Sequence, residues 1–160
     1  MSTDPATPSS PRLNYREASP AAFTAMLALE TAVRKTGLDP VLLDLVKLRA
    51  SQINGCAFCI DMHVSDAKKK GENDRRLHLL PVWREVPHFF TPREQAALAW
   101  TESLTLISES HVPDEVYALA SKEFSETELT NLTLAVVAIN GWNRFSITFR
   151  AMPEPLEKQS

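Results

Sequence analysis

Little in this chain is extreme, and each absence removes a class of protein. No apolar run approaches the roughly 18–20 residues that a membrane span needs. The formal charge is only −3, so neither nucleic acid nor an anionic membrane surface is indicated as a partner. The opening residues, MSTDPATPSSPR, lack the apolar stretch of a signal peptide, which makes the cytoplasm the expected compartment. There is no internal repeat, no low-complexity block, and scarcely any strict alternation of the β type. Cysteine is nearly absent: Cys56 and Cys59 are the only two. With 160 residues, 44% of them hydrophobic and 23% charged, one domain with its own core is expected.

What is present reads as a series of helices. Ser19-Pro20, Asp39-Pro40 and Thr91-Pro92 each set a capping residue before a proline at the first helical position, where the missing N–H costs nothing. Thr91 with Glu94, and Ser125 with Glu128, have capping-box spacing. Gly37 and Gly71 fit helix stops. The expected helices are 20–36, 40–53, 56–70, 92–107, 113–123 and 126–149, with a short one near 73–80. Phe23, Met26, Leu27 and Val33 form an apolar stripe in the first, and Leu129, Leu132, Val136 and Ile139 in the last. The expected fold is all-α: a bundle of six to seven helices spanning 13–152, between a disordered leader (1–12) and a loose tail (153–160).

The segment QINGCAFCIDMHVSDA, residues 52–67, carries the chemistry. Asn54-Gly55 breaks the chain, and a new helix is expected at or just before Cys56. On that helix Cys56, Cys59 and His63 fall within about 60° of one another, and Cys59 and His63 can touch. Amides and the positive dipole end in the first turn favour thiolate over thiol, and a histidine within reach can take the proton. Zinc is a competing reading, with Cys56, Cys59 and His63 as three ligands and a fourth among His78, His88, His111 or a carboxylate. No second Cys-x-x-Cys supports it. A structural disulfide and a pair of inert core cysteines are further readings. A thioredoxin domain would need a strand before the motif, where PVLLDLVKLRASQ reads as helix. The residues alone reach a helical thiol redox protein and no substrate.

LLDLVKLRASQINGCAFCIDMH, supported by LNY (13–15), GLDP (37–40), FTPREQAALAWTESLT (90–105) and INGWNRFSITFR (139–150), closely resembles the alkyl hydroperoxidase D-like group of the carboxymuconolactone decarboxylase superfamily. The likeness runs from about residue 12 to 150. It implies an all-helical subunit assembling into dimers, trimers or hexamers. It also implies thiol-dependent reduction of hydroperoxides without haem or metal, the electrons coming from a dithiol such as a lipoyl or thioredoxin-like protein. By this resemblance Cys59 matches the peroxide-attacking cysteine, Cys56 its resolving partner, which also meets the reductant, and His63 the proton-relay histidine. The family's relay glutamate, twelve residues before the first cysteine, is Asp44 here, one methylene shorter. Glu30, Asp61 and Asp66 are alternative carboxylates. Lactone decarboxylation, the superfamily's other activity, does not require the cysteine pair. A redox-sensing or small-molecule-binding oligomer is a non-catalytic alternative.

The remaining features invite plainer readings. KKK (68–70) suits the negative end of a helix and reads as a solvated face rather than a binding patch. Trp83, Trp100 and Trp142 read as core or subunit anchors. Asn140, Asn143 and Arg144, in an otherwise apolar helix, suggest a subunit contact, with the lining of a pocket as the alternative. His78, His88 and His111 have no motif around them and read as surface groups.

Overall fold

Caps and prolines start the helices at the positions the sequence marks. In the computed structural model, which describes residues 10–154, Ser19, Asp39 and Thr91 each accept a backbone N–H of the first turn, with proline at the start of the helix. Both capping boxes form, Thr91 with Glu94 and Ser125 with Glu128. Nine α-helices result among the described residues: α1 Tyr15–Ala18, α2 Pro20–Arg34, α3 Pro40–Asn54, α4 Ala57–Lys69, α5 Asp74–Leu79, α6 Pro92–Thr105, α7 Ile107–Ser110, α8 Asp114–Glu123 and α9 Glu126–Phe149. Two 3₁₀ turns, Leu80–Glu85 and Pro87–Phe89, join α5 to α6. No strand is present among the described residues. The all-α expectation is met. The additional elements are the single-turn helices α1 and α7, too short for hydrophobic periodicity to mark. The FSITF stretch completes α9, as expected. The expected leader and tail lie largely outside the described residues. Arg12 is tied to the end of α9, its amide donating to the Phe149 carbonyl at 3.0 Å and its guanidinium to that of Thr148 at 2.9 Å.

α3 is the centre of the bundle. Every residue from Leu42 to Leu48 is buried, the pattern of a helix covered on all sides. Leu42, Leu43 and Val46 enter a core shared with α6, α8 and α9, where Trp100, Leu132 and Val136 are buried. Leu45 and Leu48 enter a second core with Leu77, Leu80, Trp83 and Leu98. Truncating a side chain this enclosed to alanine costs about 2–5 kcal/mol.

α2 leans on α9 rather than on α3 or α4. At the α2–α9 crossing the Met26 methyl sits in the space a side chain on Gly141 would enter, 2.9 Å from where its Cβ would lie. The consequence is a cleft. α2 contributes Val33 to the core, while Phe23, Leu27, Glu30 and Arg34 line the space between α2 and α3, α4 and α9. The stripe the sequence suggested on α2 is therefore split between core and cavity wall. No helix among the described residues is long and apolar enough to cross a membrane.

Candidate active site

The turn before α4 is built by Gly55. It ends α3 in the left-handed region, φ +69°, which costs other residues about 1–2 kcal/mol. The amides of Gly55 and Cys56 fold back to the carbonyls of Gln52 and Ser51 at 3.2 and 3.0 Å. Cys56 then leaves helical geometry and becomes the N-cap of α4, so the helix proper starts at Ala57. The Cys59 amide donates to the Cys56 sulfur at 3.4 Å. That bond and the positive helix end favour negative charge on Cys56. The Cα atoms lie 5.3 Å apart, within the usual range for a disulfide, and the two sulfurs are bonded. Both cysteines are 1% exposed, but only Cys59 lies on the cavity wall.

A polar network holds this turn against α9. Asn54 donates to the side-chain oxygens of Asn140 and Asn143 at 3.0 and 2.9 Å. Asn143 donates to the Ser51 hydroxyl at 3.0 Å, and Asn140 to that of Thr105 at 3.1 Å. Asn140 and Asn143 thus have partners within the chain, a use the sequence alone did not reveal. Buried amides so satisfied fix one register between helices, here the one that sets the cysteine turn.

His63 follows Cys59 by one helical turn, and the two residues share the wall of a cavity of about 610 Å³. The histidine is 7% exposed, and its Nε2 has no hydrogen-bond partner among the described residues. Burial, and next the nearby Lys47 cation, hold its pKa down to about 4. Glu30 and Asp66 pull the other way, and Lys70 adds to the lowering. His63 is therefore neutral at physiological pH in the disulfide form.

Asp44 lies on the same wall, but its carboxylate accepts from the Lys70 ammonium at 2.6 Å, and it makes no hydrogen bond to His63. Glu30, from α2, is engaged by Lys47 and also lines the cavity. Asp66 lines it too, whereas Asp61 does not. The sequence-predicted Cys59, His63 and Asp44 are thus brought to one cavity, with Cys56 just behind. Lys47 and Lys70 were missed. Lys47 left a signal: it is a lysine inside the apolar stretch of α3. Lys70, read as a solvated end of KKK, instead reaches across to α3. Trp83 and Trp100 are core residues as expected, while Trp142 lines the cavity. His78, His88 and His111 are exposed. Among the described residues no group of three or more His, Cys, Asp or Glu is arranged to hold a metal.

A family model described as the carboxymuconolactone decarboxylase family matches residues 20–103, which include the cysteine pair and His63. The chain belongs to the carboxymuconolactone decarboxylase family. Its relatives include the uncharacterized protein YdfG of Bacillus subtilis, 41% identical over 138 residues that make up 86% of this chain and 93% of the relative. The uncharacterized protein YnjA of Escherichia coli is 30% identical over 114 residues, 71% of this chain and 61% of that protein. Among solved structures, a protein of unknown function from Agrobacterium tumefaciens, provisionally described as the antioxidant defence protein AhpD, superposes with a TM-score of 0.88 at 43% identity. It covers 92% of this chain and all of that one. An uncharacterized peroxidase-related protein from Silicibacter superposes at 0.74 with 16% identity, over 85% of this chain and 72% of that one, a likeness of fold. Within the superfamily the chain is of the alkyl hydroperoxidase D-like type.

Proposed function

We propose that the protein is a thiol peroxidase that reduces organic hydroperoxides and cycles the Cys56–Cys59 disulfide. The observation that carries this reading is the union of three features on one wall. They are a cavity-facing member of a redox pair, a neutral buried histidine one turn away, and a ring nitrogen on that histidine without a partner.

In the reduced protein His63 takes the Cys59 proton. The thiolate attacks one peroxide oxygen, so an S–O bond forms as the O–O bond breaks. The leaving alkoxide takes the proton from His63 and departs as alcohol. The Cys56 thiol then attacks the Cys59 sulfenic acid. The S–S bond forms and water leaves. The pair has now given two electrons to the peroxide. A dithiol donor, lipoyl or thioredoxin-like, returns them by thiol–disulfide exchange and becomes a disulfide itself. Asp44 supports His63 in this scheme through a water, or after Lys70 moves aside. Assembly into a homo-oligomer and residence in the cytoplasm complete the proposal.

The test mixes reduced protein with cumene hydroperoxide and counts free thiols. Two thiols lost per peroxide consumed, and no consumption by Cys59→Ser, are the expected results. Unchanged turnover in that variant would remove the assignment. A second reading, a redox sensor without turnover, draws on the occupation of Asp44 by Lys70. It requires that the pair oxidise once and never cycle when dithiols are supplied.

A further inference from the structure

The cavity wall runs along α2 from Phe23 to Arg34 and along α4 from Phe58 to Lys69, and its two ends differ. One end is aromatic: Tyr15, Phe23 and Trp142 pack together on the wall, and Phe58 precedes Cys59 in the chain. The other lies where α2 and α4 end, beside the first residues of α3. There Arg34, Lys69 and Lys70 stand with Leu38, Pro40 and Asp44 on the wall. Leu27, Leu43 and Met62 give the stretch between an apolar lining. Ten residues of α4 separate Cys59 from Lys69, about 15 Å along the axis.

The charges along this path are arranged unequally. In a chain of net charge −3, the wall holds five cations, Arg16, Arg34, Lys47, Lys69 and Lys70, against three carboxylates, Glu30, Asp44 and Asp66. The two inner acids are taken: Glu30 by Lys47, and Asp44 by Lys70 at 2.6 Å. Among the described residues Arg34 and Lys69 make only 3.4 Å contacts to acids on their own helices, and their side chains are 76% and 72% exposed. Pairs of that kind contribute about 0–1 kcal/mol, so both cations remain free to engage an incoming anion.

We propose that this groove takes a linear apolar chain bearing a carboxylate, the chain lying along Leu27, Leu43 and Met62 and the carboxylate meeting Arg34 and Lys69. Resting on the peroxidase reading above, the substrate is then the hydroperoxide of such a chain, with its peroxide group at Cys59. Hydrogen peroxide uses neither the apolar length nor the cations, and cumene hydroperoxide uses no cation.

The test is binding, which needs no turnover. Dodecanoate and dodecan-1-ol are titrated into the full-length disulfide form, read by calorimetry and by tryptophan fluorescence, since Trp142 lines the cavity. Dodecanoate is expected to bind about tenfold more tightly than the alcohol, as one charge-assisted contact allows. The preference should disappear in Arg34→Gln/Lys69→Gln, while the alcohol still binds. The surface position of both side chains makes a folding defect in that variant unexpected, and its circular dichroism melt checks this. Equal binding of acid and alcohol, binding of neither, or an unchanged preference in the double variant overturns the proposal. Carboxylate-selective binding in a protein that consumes neither cumene hydroperoxide nor a long-chain fatty acid hydroperoxide supports the ligand site and removes the peroxidase reading, so the two fail separately.

Discussion

Two polar clusters flank α3, and they are satisfied to opposite degrees. On one side Glu102 of α6 accepts from Arg49 at 2.7 Å, from the Trp83 indole at 2.9 Å and from Arg84. Burial alone would raise its pKa, but the bonds from Arg84, Trp83 and Arg49 outweigh it and hold the carboxyl below its usual range. Every strong donor there has its acceptor. On the other side Glu30 and Lys47 engage each other, Lys70 covers Asp44, and His63 is left with a bare Nε2. A satisfied network fixes structure. A buried nitrogen without a partner costs free energy, and in the proposed mechanism its place one turn from Cys59 gives it a chemical use.

Exchanging side chains between these roles should break the contrast. The largest effect expected is on turnover in His63→Gln: peroxide consumption should fall by about 10²–10⁴-fold, the usual worth of a positioned general base, with the fold retained. Steady-state peroxidase assay with a melt of the same sample checks both halves. Glu102→Ala should do the reverse. It leaves Arg49 and the Trp83 N–H unpaired and should cost about 3 kcal/mol of stability, while turnover per folded molecule stays within a factor of two or so, judged from the magnitude of remote effects. Denaturant midpoints measure it.

The same contrast has a pH signature. His63 binds its proton less tightly in the folded protein, about 4, than at its ordinary value of 6.5. Its contribution is therefore fully present above pH 6.5 and is lost as the pH falls toward 4. The loss amounts to about 3 kcal/mol over that window. Denaturation of the disulfide form at stepped pH should show this slope, and His63→Gln should flatten it. Glu102, with its lowered carboxyl, loses its contribution only at lower pH, so Glu102→Gln should leave the slope between pH 6.5 and 5 as it is.

Much of this was legible before any fold was known, because caps and motifs act locally. Thr91 and Glu94, or Ser125 and Glu128, need only three residues of spacing to declare a helix start. Cys59 and His63 share a face for the same reason. What was illegible depends on elements meeting across the fold. Glu30 and Lys47 are 17 positions apart and Asp44 and Lys70 are 26 apart, and nothing local pairs them. Phe23 and Leu27 look like core in an apolar stripe. They line a cavity because α2 leans on α9 through Met26 and Gly141 and stands off from α3. Asn140 and Asn143 read as an oligomer contact, since their partners Asn54 and Ser51 lie far back in the chain.

The smallest effect separates the two carboxylates that could serve His63. Asp44 is the position the family resemblance selects, yet its charge is spent on Lys70 at 2.6 Å. Glu30 stands 14 residues earlier in the chain on a different helix, and its field is among the largest acting on the imidazole. Neutralising Glu30 also strips Lys47 of its partner and leaves a bare cation beside the histidine, which opposes a second positive charge there. Glu30→Gln should therefore lower turnover by about tenfold, equivalent to 1.4 kcal/mol, with the acid-side limb of the pH–rate profile moved. Asp44→Asn should change turnover by less than about threefold, because a relay through a water contributes less than a direct contact. Asp44→Glu then supplies the sharper comparison. A longer arm that escapes Lys70 and reaches the histidine should raise turnover, and indifference would retire Asp44 from the relay.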